Sequence, residues 1–208
     1  MIAEEKKELP GQIKWLYSLG DVATAAPLAF IAFFQLIFLT DVAGLSPSLA
    51  GTAVLIGKIW DGFNDPVFGY ISERIKSRHG RRRIVLMFAA VPFAITFFMQ
   101  FISVGFESQT GLLIYYSLAI ILFDTIYTTI HISYNALTPA ITTDYDQQST
   151  LNGYRMGYSI FGTLLAIIIA VLVGDLIDDP QRRYQILGLI IGAMSLIPLL
   201  IVIQVTKN

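Results

Sequence analysis

The chain has 208 residues, 55% hydrophobic and only 14% charged, with a formal net charge of −1 and no cysteine, and its mean hydropathy is +0.65. That much apolar surface excludes a soluble domain of this size and a nucleic-acid partner, and it points to a membrane protein with the lipid bilayer as its main neighbour. The missing cysteines exclude a disulfide framework and thiolate metal sites, while the charges occur in clusters and have meaning only loop by loop.

The opening residues, MIAEEKKELPGQIKW, mix acids and bases with no small-residue cleavage site after a short apolar core, so a retained tail is expected. Apolar blocks follow that are long enough to cross a bilayer at roughly 20 helical residues each. They cover about 13–39, 49–71, 84–104, 112–137, 151–173 and 184–205. Lipid leaves no partner for exposed backbone groups, and the blocks lack the short alternation of a barrel, so the expected fold class is all-α: a polytopic bundle of six transmembrane helices with no soluble domain.

The first predicted span carries Asp21 and Thr24 on one face, Gln35 three turns further on, and Pro27 as an expected kink between them. The second contains Lys58, Asp61, Asn64 and Asp65 within eight residues, spaced to crowd one side of the helix. An ionisable group near the bilayer centre costs on the order of 3 kcal/mol on insertion scales, so these side chains must face a cavity, a partner or an ion. Two carboxylates so close repel one another and together should accept a proton or a monovalent cation. Amide and hydroxyl oxygens are suitable further ligands for a hard cation. The competing reading is a structural Lys58–Asp61 salt bridge.

Arg74, Lys76, Arg78, Arg81, Arg82 and Arg83 follow, against a single Glu73, which places that loop in the cytoplasm and both termini with it. The opposite loops carry Asp41, Glu107, Asp175, Asp178 and Asp179 against Arg182 and Arg183. The expected location is the plasma (inner) membrane. Loop-like runs at 44–47, 105–111 and 174–180 support the boundaries.

In the fourth span, LFDTIYTTIHISYNAL, the residues Asp124, Tyr127, Thr128, His131 and Asn135 fall at offsets 0, 3, 4, 7 and 11 and trace one helical stripe. Such a stripe suits a cavity wall that binds a polar solute, with interhelical hydrogen bonding as the structural alternative. Arg155 opens the fifth span just after Asp144 and Asp146; it pairs with them as a gate, reaches inward to an anionic or hydroxylated ligand, or snorkels at the interface as a positive-inside residue. No G-x-S-x-G or H-E-x-x-H motif is present and only two histidines, so no enzyme, covalent chemistry or cofactor is expected.

The segment IWDGFNDPVFGYISERIKSRHGRRR resembles the link between the second and third helices of the glycoside-pentoside-hexuronide cation symporters of the major facilitator superfamily. The likeness extends through LYSLGD (16–21), FLTDVAGLS (38–46) and YNALTPAITTDYDQQSTLNGYRM (134–156). It implies a sodium- or proton-coupled symporter of a sugar or glycoside. The paired ion-site aspartates fall on Asp61 and Asp65, a nearby threonine on Thr128, and the sugar-site arginine on Arg155. The carboxylates of melibiose-type members fall on Ala25 and His131, and their stacking tryptophan on Asn135, so a galactoside is not implied. Glu73 stands where Asp is usual, and Lys58, Glu73, Arg74, Arg81 and Asp144 are candidates for charge pairs or a gate.

Six spans resemble the N-terminal half of such a transporter, whose two halves enclose a central cavity. The polar stripes of helices one, two and four then require a facing wall, from a C-terminal half or a homodimer partner. The alternative is a half-size membrane scaffold or sensor that does not transport.

Overall fold

The structure, a computed structural model, describes residues 9–74 and 81–206. The described residues form helices and connecting turns, with no strand among them. In chain order the helices are α1 (Gly11–Ser18), α2 (Gly20–Ile37), α3 (Pro47–Arg74), α4 (Arg81–Met99), α5 (Gln109–Asn135), α6 (Thr138–Ile141), α7 (Tyr145–Leu176) and α8 (Pro180–Val205). A π-turn, Phe38–Val42, extends α2.

By length and composition five stretches can cross a membrane: Gly11–Val42, Arg82–Met99, Gln109–Ile141, Tyr145–Leu176 and Pro180–Val205. The chain is thus a multi-pass membrane protein. The sixth expected span is α3, a continuous 28-residue helix that does not join this set, because Lys58, Asp61 and Asp65 interrupt its apolar run. Helix ends also differ from the sequence expectation. α7 begins six residues earlier than expected, since Asp144 caps it by accepting from the backbone N–H of Asp146 and Gln147.

The turn after the first span is built from specific chemistry. Gly44 has φ +79°, the left-handed conformation that glycine adopts without strain, and Leu45 N–H reaches back to Leu39 carbonyl at 2.9 Å. Gln109 then clasps this turn from the start of α5, donating to Gly44 carbonyl at 2.7 Å and accepting from Ser46 N–H at 2.9 Å.

α2 packs against α7 and α8, α4 against α5 and α8, and α3 against α5. The interior is strongly aromatic: Phe30, Phe38, Phe97, Phe101 and Tyr116 are fully or almost fully buried. Phe30 and Phe101 have ring centroids 4.8 Å apart, and Phe38 meets Phe101 at 5.5 Å and Tyr116 at 5.8 Å, in the tilted geometries aromatic quadrupoles favour. Outward positions such as Phe33, Phe88, Ile168 and Leu172 are equally apolar and exposed. Apolar residues inside and outside alike are expected where lipid is the solvent and close packing, not water exclusion, joins helices.

Small residues permit the closest crossings. A Cβ on Gly162 of α7 would lie 3.0 Å from Val22 Cα of α2, a backbone atom with no room to yield. Gly162→Val is therefore expected to destabilise the α2–α7 crossing by about 1–3 kcal/mol. Gly174→Val, where the added Cβ meets nothing within 4 Å, should leave the thermal midpoint of the detergent-solubilised chain almost unchanged.

Candidate functional site

Two polar clusters occur within the bundle, both attached to α5. The first is organised by Arg155 of α7. Its Nε donates to Asp21 Oδ2 at 2.7 Å and its Nη2 to Asp21 Oδ1 at 3.2 Å, a two-pronged ion pair between α7 and α2. Nη2 also donates to Asn135 Oδ1 at 2.5 Å, and Nη1 to Thr138 Oγ1 at 3.0 Å. The two charged side chains are only 13% and 16% exposed, so the pair is largely withdrawn from solvent.

Two tyrosines close around it. Tyr17 hydroxyl donates to Tyr134 carbonyl at 2.9 Å, and the single proton of Tyr134 hydroxyl is shared between two acceptors, Tyr17 carbonyl and Asp21 Oδ2, each at 2.9 Å. Tyr17 hydroxyl is also 2.9 Å from Thr138 Oγ1. The guanidinium stacks over the Tyr134 ring at 4.5 Å, adding a cation–π contact. The local fold explains this convergence. Tyr17 and Asp21, four residues apart, stand one above the other because Leu19 keeps helical φ −57° and ψ −24° through the α1–α2 junction, and Gly20 gives Tyr134 its place, since a Cβ there would lie 2.7 Å from the tyrosine ring.

Asn135 extends the cluster along α5: its Nδ2 lies 3.1 Å from His131 Nε2, and the exposed His131 ring stacks on Tyr127 at 5.5 Å. Five of the six expected solute-binding residues, Asp21, Tyr127, His131, Asn135 and Arg155, are thus joined by contacts. Asp124 also meets a different neighbour. It faces α3, where a Cβ on Gly57 would be 3.3 Å from its Oδ2. A seven-residue offset keeps Asp124 and His131 on one stripe, but it also sets them two turns apart, and here different neighbours meet the two ends.

The second cluster lies along the α3–α5 seam. Asn64 is 2% exposed and donates through Nδ2 to Asp124 carbonyl at 3.2 Å. Thr128, one turn beyond Asp124, is buried as well. Trp60 Nε1 crosses the seam to Thr125 Oγ1 at 2.9 Å. Lys58 Nζ lies 3.9 Å from Asp61 Oδ2 in an exposed, loose contact worth at most a fraction of a kilocalorie. The side chains of Asp65, Glu73, Arg74 and Arg81 lie outside the described residues. Among the described residues no three His, Cys, Asp or Glu side chains gather as a metal site.

Two further placements depart from expectation. Arg155 makes its ion pair with Asp21, while Asp144 caps α7. Gln35, expected on the Asp21 face, instead donates to buried Gln100 at 2.6 Å. Sequence reasoning missed Tyr17, Tyr134, Thr138 and Gln100. The signal for the tyrosines was present: Tyr17 precedes Asp21 by one turn and Tyr134 adjoins Asn135, but an aromatic ring in an apolar run reads as packing.

The family model for MFS/sugar transport proteins matches residues 16–208. An uncharacterized symporter of Synechocystis sp. is 38% identical over 193 residues, which is 90% of this chain and 36% of that protein. The putative glycoside/cation symporter YagG of Escherichia coli is 31% identical, over 92% of this chain and 42% of its own length. The sodium-dependent lysophosphatidylcholine symporter 1-A of Danio rerio is 29% identical, over 86% and 34%. The chain therefore spans between a third and a half of the length of these relatives.

Removing one partner of a withdrawn ion pair strands the other charge, at a cost of roughly 3 kcal/mol or more. Asp21→Asn and Arg155→Gln should each lower thermal stability by about that amount. The double variant should cost clearly less than their sum, which a double-mutant cycle on thermal unfolding will show.

Proposed function

The chain belongs to the MFS/sugar transport protein family, and on that premise we propose that it forms one half of a cation-coupled symporter of a small polar solute. The observation that carries this reading is the pair of separate polar clusters within one membrane bundle. The Arg155 cluster presents planar, pre-oriented donors backed by an aspartate and two tyrosine rings, which suits a hydroxylated solute such as a sugar or glycoside. Asp21, Tyr127, His131, Asn135 and Arg155 form its wall. The α3–α5 seam supplies mainly acceptor oxygens, which suit sodium or a proton at Asp61, Asn64, Asp65 and Thr128. Lys58 competes with the arriving cation for Asp61, while Glu73, Arg74, Arg81 and Asp144 serve as charge pairs or gates at helix ends.

Relatives support the coupling: several are named symporters, and the Danio rerio protein is named sodium-dependent. Because these relatives are more than twice as long, the facing wall comes from a second half, either a C-terminal half or another copy. α3 serves as the sixth span. At 1.5 Å per residue its 28 residues reach about 42 Å, enough for the hydrocarbon core. Its exposed side chains Leu55, Ile59, Phe63, Val67 and Tyr70 make a continuous apolar stripe suited to lipid, opposite the buried Asn64. Both termini are then cytoplasmic, in the plasma (inner) membrane.

Replacing Asp61 with Asn should abolish the dependence of solute uptake on a sodium or proton gradient in energised vesicles holding both halves. Unchanged ion dependence would remove the ion site. Uptake by this chain reconstituted as a lone monomer would remove the need for a second half.

A further inference from the structure

Gly57 is a window in α3. A Cβ there would lie 2.3 Å from Ile120 Cγ2 and 3.3 Å from Asp124 Oδ2, so the missing side chain is what lets this carboxylate approach the α3 backbone. Gly57, Asp61 and Asn64 follow at i, i+4 and i+7 and share one face of α3. Asp124 of α5 thus meets the face of α3 that carries Asp61, one turn from it.

The Asn64 amide gives an independent indication. The residue is 2% exposed and its Nδ2 donates to Asp124 carbonyl at 3.2 Å, yet its Oδ1 has no donor among the described residues. A buried acceptor oxygen between two carboxylate-bearing turns is the complement of a hard cation, which needs several oxygens and no donors.

We propose that Asp124 is a ligand of the coupling ion, held with Asp61 and Asn64 Oδ1 between α3 and α5, and not part of the solute wall. This rests on the reading of Asp61 as an ion-site residue and adds a carboxylate from a second helix. Without the ion the neighbouring carboxylates repel across the seam, and the Lys58 ammonium, 3.9 Å from Asp61 Oδ2, offsets part of that repulsion. With the ion bound, α3 and α5 are clamped by one shared ligand set.

The chain contains two tryptophans, and Trp60 bridges this seam to Thr125, so Trp15→Phe leaves Trp60 as a sole fluorescent reporter. The purified full chain is titrated with sodium against choline at constant ionic strength, following Trp60 emission, and bound radiolabelled sodium is measured by equilibrium dialysis. The same titration with pH in place of sodium covers a proton-coupled chain. Saturable binding is expected, with the half-saturating concentration raised at least tenfold by Asp124→Asn and by Asp61→Asn, and largely kept by Asp124→Glu. Asp124→Ser removes the same carboxylate with less bulk and replaces Asp124→Asn if that variant loses helicity. If Asp61→Asn loses binding while the neutral Asp124 variants bind as the parent does, Asp124 is no ligand and the ion site stands without it. If the parent responds to neither sodium nor pH, the ion site and this inference both fall.

Discussion

The Arg155–Asp21 ion pair is the constraint around which the described bundle is arranged. A guanidinium and a carboxylate withdrawn into an apolar bundle are tolerable only when each is matched almost atom for atom. Here the matching comes from α2 through Asp21, from α5 through Asn135 and Tyr134, and from Thr138 at the start of α6. Four helices, with α2 distant in sequence from the other three, therefore meet at one side chain. The reciprocal hydroxyl-to-carbonyl bonds of Tyr17 and Tyr134 hold the rings that line this pair. Any ligand that took one of these hydrogen bonds from Asp21, Asn135 or Thr138 would also loosen the segment that supplies it.

α5 connects this cluster to the α3 seam. Its middle meets α3 through Asp124 and Thr125, and its last turn meets Arg155 through Asn135. Close approach at both ends depends on glycine: Gly57 admits Asp124 and Ile120, and Gly20 admits the Tyr134 ring. In lipid, where burying apolar surface gains little, such small-residue windows and interhelical hydrogen bonds supply much of the association between helices. A helix that carries both clusters is a physical route by which a change at one alters the other.

Most of the architecture was legible in the sequence because membrane helices announce themselves through long apolar blocks. α3 was the least regular case: Lys58, Asp61 and Asp65 lower its apolar character, though its length and lipid-suited stripe remain plain. Within the polar groups, helical periodicity placed residues of one helix on one stripe but could not assign their partners. Asp124 and His131 share a stripe, yet only the packing of α3 against the middle of α5 gives them different neighbours. Arg155 stood next to Asp144 and Asp146 in sequence, but its partner Asp21 lies 134 residues away. Tyr17, Tyr134 and Gln100 escaped notice because a tyrosine or glutamine in an apolar run carries no sign of what its polar end will meet.

The central claim is that an ion cluster at α3 and a solute cluster at Arg155 are energetically linked within one transporter. Linkage requires reciprocity: whatever factor the ion adds to solute affinity, the solute must add to ion affinity. The direct measurement is the dissociation constant of each in the absence and at saturation of the other, for a transported solute and the assembled protein. Equal mutual enhancement, lost when Asp61 is replaced by Asn, is the predicted result. Two constants that ignore one another would contradict the account.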